Sequence, residues 1–355
     1  MNGKKVKYKN YKLARLLVAG VIFVSLVSSC QQKKATVLGH EELAPISIEA
    51  LRKRDFTTSL KFEKELVSGE GFNAELLSFY SDSLRIYALL SKPKTEKPEG
   101  GYPLIIFGHG FHPEPKKYGI SKASGKSWRP GDYYRGVPES YARRGFVVLT
   151  PDYRGHNVSD GFEFTQMGFL AHNFYTIDLL HLVAALPSLE NVNLDRVYYM
   201  GHSMGGDVGL RLLLTTNKIS AASLWSPVAA STWQQVLYYG KYEEEGEVIN
   251  TEKIDEYMAT LQDNLNGLSY EYSVEQGDPI NFIRELNVPV IIHHATGDQS
   301  VPYMWSESLV ARLFAHKKRF EFYTYQSGNH LLIDENRMLA FDRDISFFNK
   351  YGNLN

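Results

Sequence analysis

The sequence predicts an α/β layered domain, a mainly parallel central sheet flanked by helices, and three observations predict it. Six apolar runs, "YPLIIFGHG", "GFVVLTPDYRG", "DRVYYMGHSMGG", "ISAASLWSP", "VPVIIHHATGD" and "RFEFYTYQSGNH", are continuous rather than alternating. Continuous runs indicate strands buried on both faces, as in a parallel sheet. Stretches of helical character, 139–144, 173–186, 204–215 and 306–315, lie between them, and strands that alternate with helices build such layers. Each run also breaks into Gly, His, Ser or Asp at its end, where ligands sit in sheets of this kind.

The elements follow in chain order. Lys4, Lys5, Lys7, Lys9, Lys12 and Arg15 precede the apolar stretch "LLVAGVIFVSLVSS" and then Cys30, the only cysteine. A basic head, a short apolar core and small residues at its end predict a signal peptide over 1–29. The stretch is too short for a comfortable membrane span. "VSSC" resembles the lipobox of bacterial lipoproteins. That resemblance implies cleavage before Cys30, lipidation of its thiol and a membrane anchor. Gln31, standing after the cysteine where an Asp would hold it back, implies the outer membrane of a Gram-negative envelope. Residues 30–45 read as a polar, lipidated tether, and 46–350 as the folded domain. A single cysteine excludes an intrachain disulfide or a cysteine-cluster metal site.

The chain has 39 basic and 40 acidic residues; without the six cations of 1–29 it has 33 basic and 40 acidic. This mildly acidic balance leaves no electrostatic footprint for nucleic acid. Residues 74–93, "AELLSFYSDSLRIYALLSKP", show two alternating runs around Ser81, Asp82 and Ser83, which predicts an entry β-hairpin. Residues 228–278 are charged and partly helical and contain no core strand. They predict a partial helical lid, because long insertions in compact domains are usually functional or disordered.

The third run carries Gly201-His202-Ser203-Met204-Gly205 at a strand-to-helix junction. The G-x-S-x-G spacing alone arises by chance in roughly one chain of this size in ten. A buried strand before it and a helix after it make it a nucleophile elbow, in which serine sits on a strained turn that tolerates only glycine two positions to either side. A serine hydroxyl needs a base, and the elbow predicts an acid and then a histidine downstream. Asp298 ends the fifth run and His330 the sixth, so Ser203, Asp298 and His330 are the expected catalytic triad. The oxyanion needs two N–H donors. These are expected from Met204, just after the nucleophile, and from Phe111, after the first run. His202, His293, His294 and His316 are expected to be structural. Arg154 is expected to brace its loop through Asp152 or Asp160, and Tyr153 to pack. There is no metal-ligand spacing and no phosphate loop, so no cofactor is implied.

"GHSMGGDVG", "TGDQSVP", "SGNHLL", "GHGF" and "PDYRGHNVSDG" together resemble an α/β-hydrolase. More closely, residues 70–350 resemble the catalytic domain of the prolyl oligopeptidase family and related bacterial esterases. "SVEQGDPINFIRELNVPVIIHHATGDQSVPYMWSESLVARL" is similar to that family's stretch around the catalytic Asp. The resemblance implies a serine hydrolase acting through an acyl-enzyme on a small-molecule ester or short peptide. Three features depart from the pattern. Phe111 stands where the family often has a second glycine. Fewer than 70 residues separate Cys30 from the first core strand, leaving no room for a propeller. No acidic pair of the kind aminopeptidase relatives use to grip an amine is evident. Ester hydrolysis is therefore expected over peptide cleavage. An acyltransferase and a non-catalytic scaffold are the other classes the fold allows, and the intact Ser, Asp, His set argues against the scaffold.

Overall fold

The computed structural model describes residues 45–117, 134, 136–241, 251–326, 328–333 and 335–352. The leader, Cys30, all but the last residue of the tether, and residues 242–250 of the excursion lie outside the described residues.

Nine strands form one sheet. In chain order they are β1 (Lys61–Gly69), β2 (Phe72–Ser81), β3 (Leu84–Pro93), β4 (Tyr102–Gly108), β5 (Val147–Asp152), β6 (Val192–His202), β7 (Ala221–Trp225), β8 (Val290–Ala295) and β9 (Phe320–Tyr325). Their spatial order is β1-β2-β3-β5-β4-β6-β7-β8-β9. The six apolar runs are the six strands β4 to β9, and every pairing among them is parallel. The β2–β3 hairpin is antiparallel and joins β5 antiparallel, so the sheet is mixed at this edge. Asp82 turns the hairpin with φ 56°. The outermost strand, β1, is not foreseen by sequence: it is mostly solvent-exposed and rich in Lys and Glu.

The chain crosses this sheet so that both faces are covered. The eight helices among the described residues are α1 (Ile48–Lys53), α2 (Val137–Ala142), α3 (Ala171–Ala185), α4 (Met204–Thr215), α5 (Thr232–Lys241), α6 (Thr251–Asn266), α7 (Tyr303–Ala315) and α8 (Glu335–Tyr351). Alternate residues of one strand serve opposite cores. Leu104 and Ile106 of β4 pack with Leu179, Leu212 and Leu309 of α3, α4 and α7. Ile105 and Phe107 pack with Tyr141 of α2 and Phe341 and Phe348 of α8. Burial on both faces is why these strands read as continuous apolar runs. This layered architecture, a mainly parallel sheet flanked by helices, is the predicted fold class.

Register brings the strand ends together. Gly108 of β4 lies opposite Gly201, His202 opposite Trp225, Trp225 opposite His293, and Ala295 opposite Tyr325. The loops that leave β4, β6, β8 and β9 therefore emerge along one edge of the sheet, and these are the loops that carry the expected site residues.

Candidate active site

Ser203 stands between β6 and α4 with φ 57° and ψ −120°. A non-glycine residue held there is strained and persists only when its surroundings dictate it. They do so here. A Cβ on Gly201 would lie 2.4 Å from the Gly205 carbonyl oxygen, and a Cβ on Gly205 would lie 2.1 Å from the Gly108 oxygen. Only glycine fits either place, which accounts for the glycines around the serine.

Asp298 sits in the turn after β8, and His330 in the loop after β9. His330 Nδ1 is 2.7 Å from Asp298 Oδ2. Asp298 also accepts the backbone N–H groups of Ser300 and Val301 on Oδ1, at 2.8 and 3.0 Å. Its Oδ2 lies 3.1 Å from His294 Nε2. Burial alone would raise this carboxyl. Hydrogen bonds from His294 and His330, the His330 charge and the Val301 N–H outweigh it and hold Asp298 well below the usual carboxylate range. Asp298 is thus an ionised acceptor that fixes the His330 ring with its Nδ1–H inward.

Ser203, Met204, Phe111 and His330 all line one cavity of about 1030 Å3. Among the described residues no hydrogen bond joins the Ser203 hydroxyl to His330; such contacts often tighten only when substrate binds. Met204 is the first residue of α4, so its N–H has no acceptor within the helix. Phe111 follows β4, and its side chain is 68% exposed at the cavity. Four of the five sequence-expected residues thus line one cavity, and the buried Asp298 joins them through its bond to His330. Helices α5 and α6 add Gln235, Tyr239, Tyr257 and Leu261 to its walls. The excursion accordingly flanks the expected site.

Two histidines expected to be structural touch this machinery. His294, buried in β8, donates or accepts with Ser306 Oγ at 2.7 Å and places its other nitrogen on Asp298. His202 Nε2 lies 2.8 Å from the His330 carbonyl oxygen, which can only accept, so Nε2 carries the proton. His202 Nδ1 is then the acceptor for the Tyr134 hydroxyl, 2.5 Å away, and Tyr134 in turn accepts the Gly110 N–H at 3.1 Å. This chain ties the loop after β4 to the loop of His330. Burial first, and the His330 charge second, hold His202 well below the usual imidazole range, so it remains neutral. Sequence spacing gave no signal for Tyr134, because the link closes only in three dimensions. His293 and the exposed His316 are away from the cavity.

One expected pairing is corrected. Arg154 does not bind Asp152 or Asp160. Its Nε and Nη2 reach Asp178 Oδ1 on α3 at 3.0 and 2.7 Å, and Nη2 lies 3.4 Å from Asp82 in the hairpin turn. Asp152 instead accepts Asn157, and Asp160 accepts the Arg85 N–H. The long guanidinium arm crosses to the neighbouring helix, whereas Asp160 turns to β3. The bracing role itself stands, and Tyr153 is fully buried and stacked on Tyr175.

Comparison with solved structures identifies relatives of this architecture. Dipeptidyl peptidase 4 of Porphyromonas gingivalis matches with TM-score 0.56 and 17% identity over 82% of this chain and 35% of that one. Acetyl xylan esterase from Paenibacillus sp. R4 matches with TM-score 0.58 and 14% identity over 86% of this chain and 92% of that one. Acylaminoacyl peptidase of Pyrococcus horikoshii matches with TM-score 0.58 and 18% identity over 81% of this chain and 42% of that one. At these identities the likeness is one of fold, and the chain spans about a third of the length of the dipeptidyl peptidase. Comparison with curated proteins gives no match. The sequence profile of the prolyl oligopeptidase family matches residues 133–354, from before α2 to the end of α8 and including Ser203, Asp298 and His330; the chain belongs to the prolyl oligopeptidase family, on the α/β-hydrolase fold, and is a serine hydrolase.

Proposed function

We propose that this chain hydrolyses carboxylic esters through a Ser203–His330–Asp298 triad. The carrying observation is that an ionised Asp298 fixes His330 Nδ1 at 2.7 Å while the ring lines the same cavity as a strained, elbow-mounted Ser203. His330 Nε2 takes the serine proton as Oγ bonds to the carbonyl carbon. The N–H groups of Met204 and Phe111 hold the oxyanion. His330 then returns the proton to the departing alcohol, leaving an acyl-enzyme, and water repeats the sequence to release the acid.

Ester rather than amide cleavage is supported by the cavity. Its walls are largely aromatic and apolar, and among the described residues Glu256 is the sole carboxylate that lines it, with no acidic pair converging there to grip an amine. A peptide bond asks for protonation of a poor leaving group and for binding energy remote from the bond. The test is kcat/KM on p-nitrophenyl acetate against aminoacyl p-nitroanilides. Esters should win by a factor on the order of 10², about 3 kcal/mol in transition-state stabilisation. Comparable rates would make the chain a peptidase.

We propose also that the protein is exported and lipid-anchored through Cys30 to the outer membrane. The basic head, apolar core and "VSSC" support this. Stable anchoring needs more than one acyl chain. Cys30→Ser should release the protein from membranes or leave it unprocessed; fractionation like the wild type would place any anchor elsewhere.

A further inference from the structure

The cavity holds a second histidine held by a carboxylate, and the triad does not use it. His172 opens α3, and its Nδ1 lies 2.6 Å from Asp207 Oδ2 on the first turn of α4. Asp207 is wholly buried and is also paired with Arg211, one helical turn further on. Burial alone would raise the Asp207 carboxyl, but Arg211 and the His172 hydrogen bond bring it below its ordinary value. Asp207 is therefore ionised and can only accept, which puts the His172 proton on Nδ1.

That leaves Nε2 as the open ring nitrogen. His172 is 8% exposed, and the surface it keeps is in the cavity beside Ser203 and Met204. Nε2 makes no hydrogen bond among the described residues, yet it is not among the sealed, unpartnered polar atoms of the interior. It faces the space a substrate would fill. Asp207 lies four residues after Ser203, about 6 Å along the helix axis, so the His172 ring is anchored to the helix that follows the elbow. The surrounding walls are flat. Phe169 stacks on Tyr239 with centroids 6.1 Å apart, Tyr257 meets Phe169 edge-on at 5.8 Å, and Tyr175 flanks His172 at 6.3 Å. Flat aromatic walls receive the face of a ring, and an open imidazole nitrogen among them selects a ring that carries a hydroxyl.

We infer that His172, oriented by Asp207, is a specificity residue that hydrogen-bonds a hydroxyl on the ring-bearing part of an ester substrate, phenolic or sugar. This rests on the ester reading above and deepens it by naming the substrate class. A site built to bind a hydroxyl discriminates against the analogue that lacks it far more than an apolar pocket does.

The experiment uses two pairs of esters, each with a hydroxylated member and one without hydroxyls. One pair is methyl 3-(4-hydroxyphenyl)propanoate and methyl 3-phenylpropanoate. The other is an acetylated methyl glucoside and acetylated cyclohexanol. In the wild type, kcat/KM should favour the hydroxylated member of at least one pair by about 10-fold or more, and the favoured pair tells a phenol from a sugar. In His172→Phe that ratio should fall towards one while a fluorophosphonate still labels Ser203. A wild-type ratio near one in both pairs overturns the inference without any variant, and so does a ratio that survives in His172→Phe. If no ester in either pair is hydrolysed although anilides are, the ester reading fails and the inference falls with it.

Discussion

Two His–Asp pairs in this molecule have nearly the same geometry and different surroundings. His330 Nδ1 meets Asp298 at 2.7 Å; His293 Nε2 meets Asp344 at 2.8 Å. The second pair is sealed between β8 and α8. Both its imidazole nitrogens are occupied, Nδ1 by the Tyr325 hydroxyl at 2.7 Å, and neither side chain has any exposure. Asp344 also accepts the Tyr141 hydroxyl and the Trp225 indole N–H, at 2.5 and 2.9 Å. The first pair leaves the His330 side chain 23% exposed on a cavity. A histidine oriented by a carboxylate is therefore not in itself a general base. It becomes one when its second nitrogen is open beside a nucleophile, and it is a fastener when both nitrogens are bonded. His172 is oriented alike by the buried Asp207 and also lines the cavity, on a different helix.

The comparison yields graded expectations. Asp298→Asn should cost most, on the order of 10³ to 10⁴ in kcat, because the amide holds His330 in the wrong tautomer. Its unfolding midpoint in urea should move little, and a large loss of stability with kcat retained would reverse the assignment of the two pairs. Asp344→Ala should do the opposite. It strands three buried donors, from His293, Trp225 and Tyr141, and should lower unfolding stability by about 3–5 kcal/mol, read by urea titration, with turnover per folded molecule nearly kept.

Three buried histidines supply a pH test. His109, His156 and His202 are all pushed down chiefly by burial, His156 to about 4. A group whose folded pKa is depressed contributes stability above its unfolded pKa, near 6.5. That stability is lost as the pH falls from 6.5 towards 4. At pH 5 His156 alone accounts for about 2 kcal/mol. Urea midpoints that do not drop between pH 7 and pH 5 would contradict the burial of these rings as neutral groups.

The smallest expected effect concerns alignment. His202→Ala cuts the tie between the Gly110 loop and the His330 carbonyl, and should lower kcat about 10-fold, since small misplacements of a reacting group are costly. KM should stay within about threefold. A rise in KM alone would make His202 part of substrate binding instead.

Most of the sheet and of the expected site was legible because both depend on local signals. The six parallel strands announce themselves through burial on both faces, and the site loops through the residues that end them. Elements whose identity depends on what they pack against were not legible. β1 pairs at an exposed edge, where Lys61, Glu63, Lys64 and Glu65 conceal the strand period. α8 places Asp344 at a core position between Phe341 and Phe348, which breaks the apolar helix pattern, and only the donors from Tyr141, Trp225 and His293 make that acid tolerable there. The Arg154 partner was missed for the same reason: Asp178 is 24 residues away in sequence and adjacent in space. So was the pairing of His172 with Asp207, which joins two helices across 35 residues.

The central claim is that Ser203 is the nucleophile of the open pair, and covalent capture tests it most directly. A fluorophosphonate incubated with the folded protein and followed by peptide mass spectrometry should add one phosphonyl group to the peptide containing "GHSMGG", and Ser203→Ala should show no addition while unfolding at the wild-type urea midpoint. Addition at another serine, or undiminished labelling of a folded Ser203→Ala, would contradict the account.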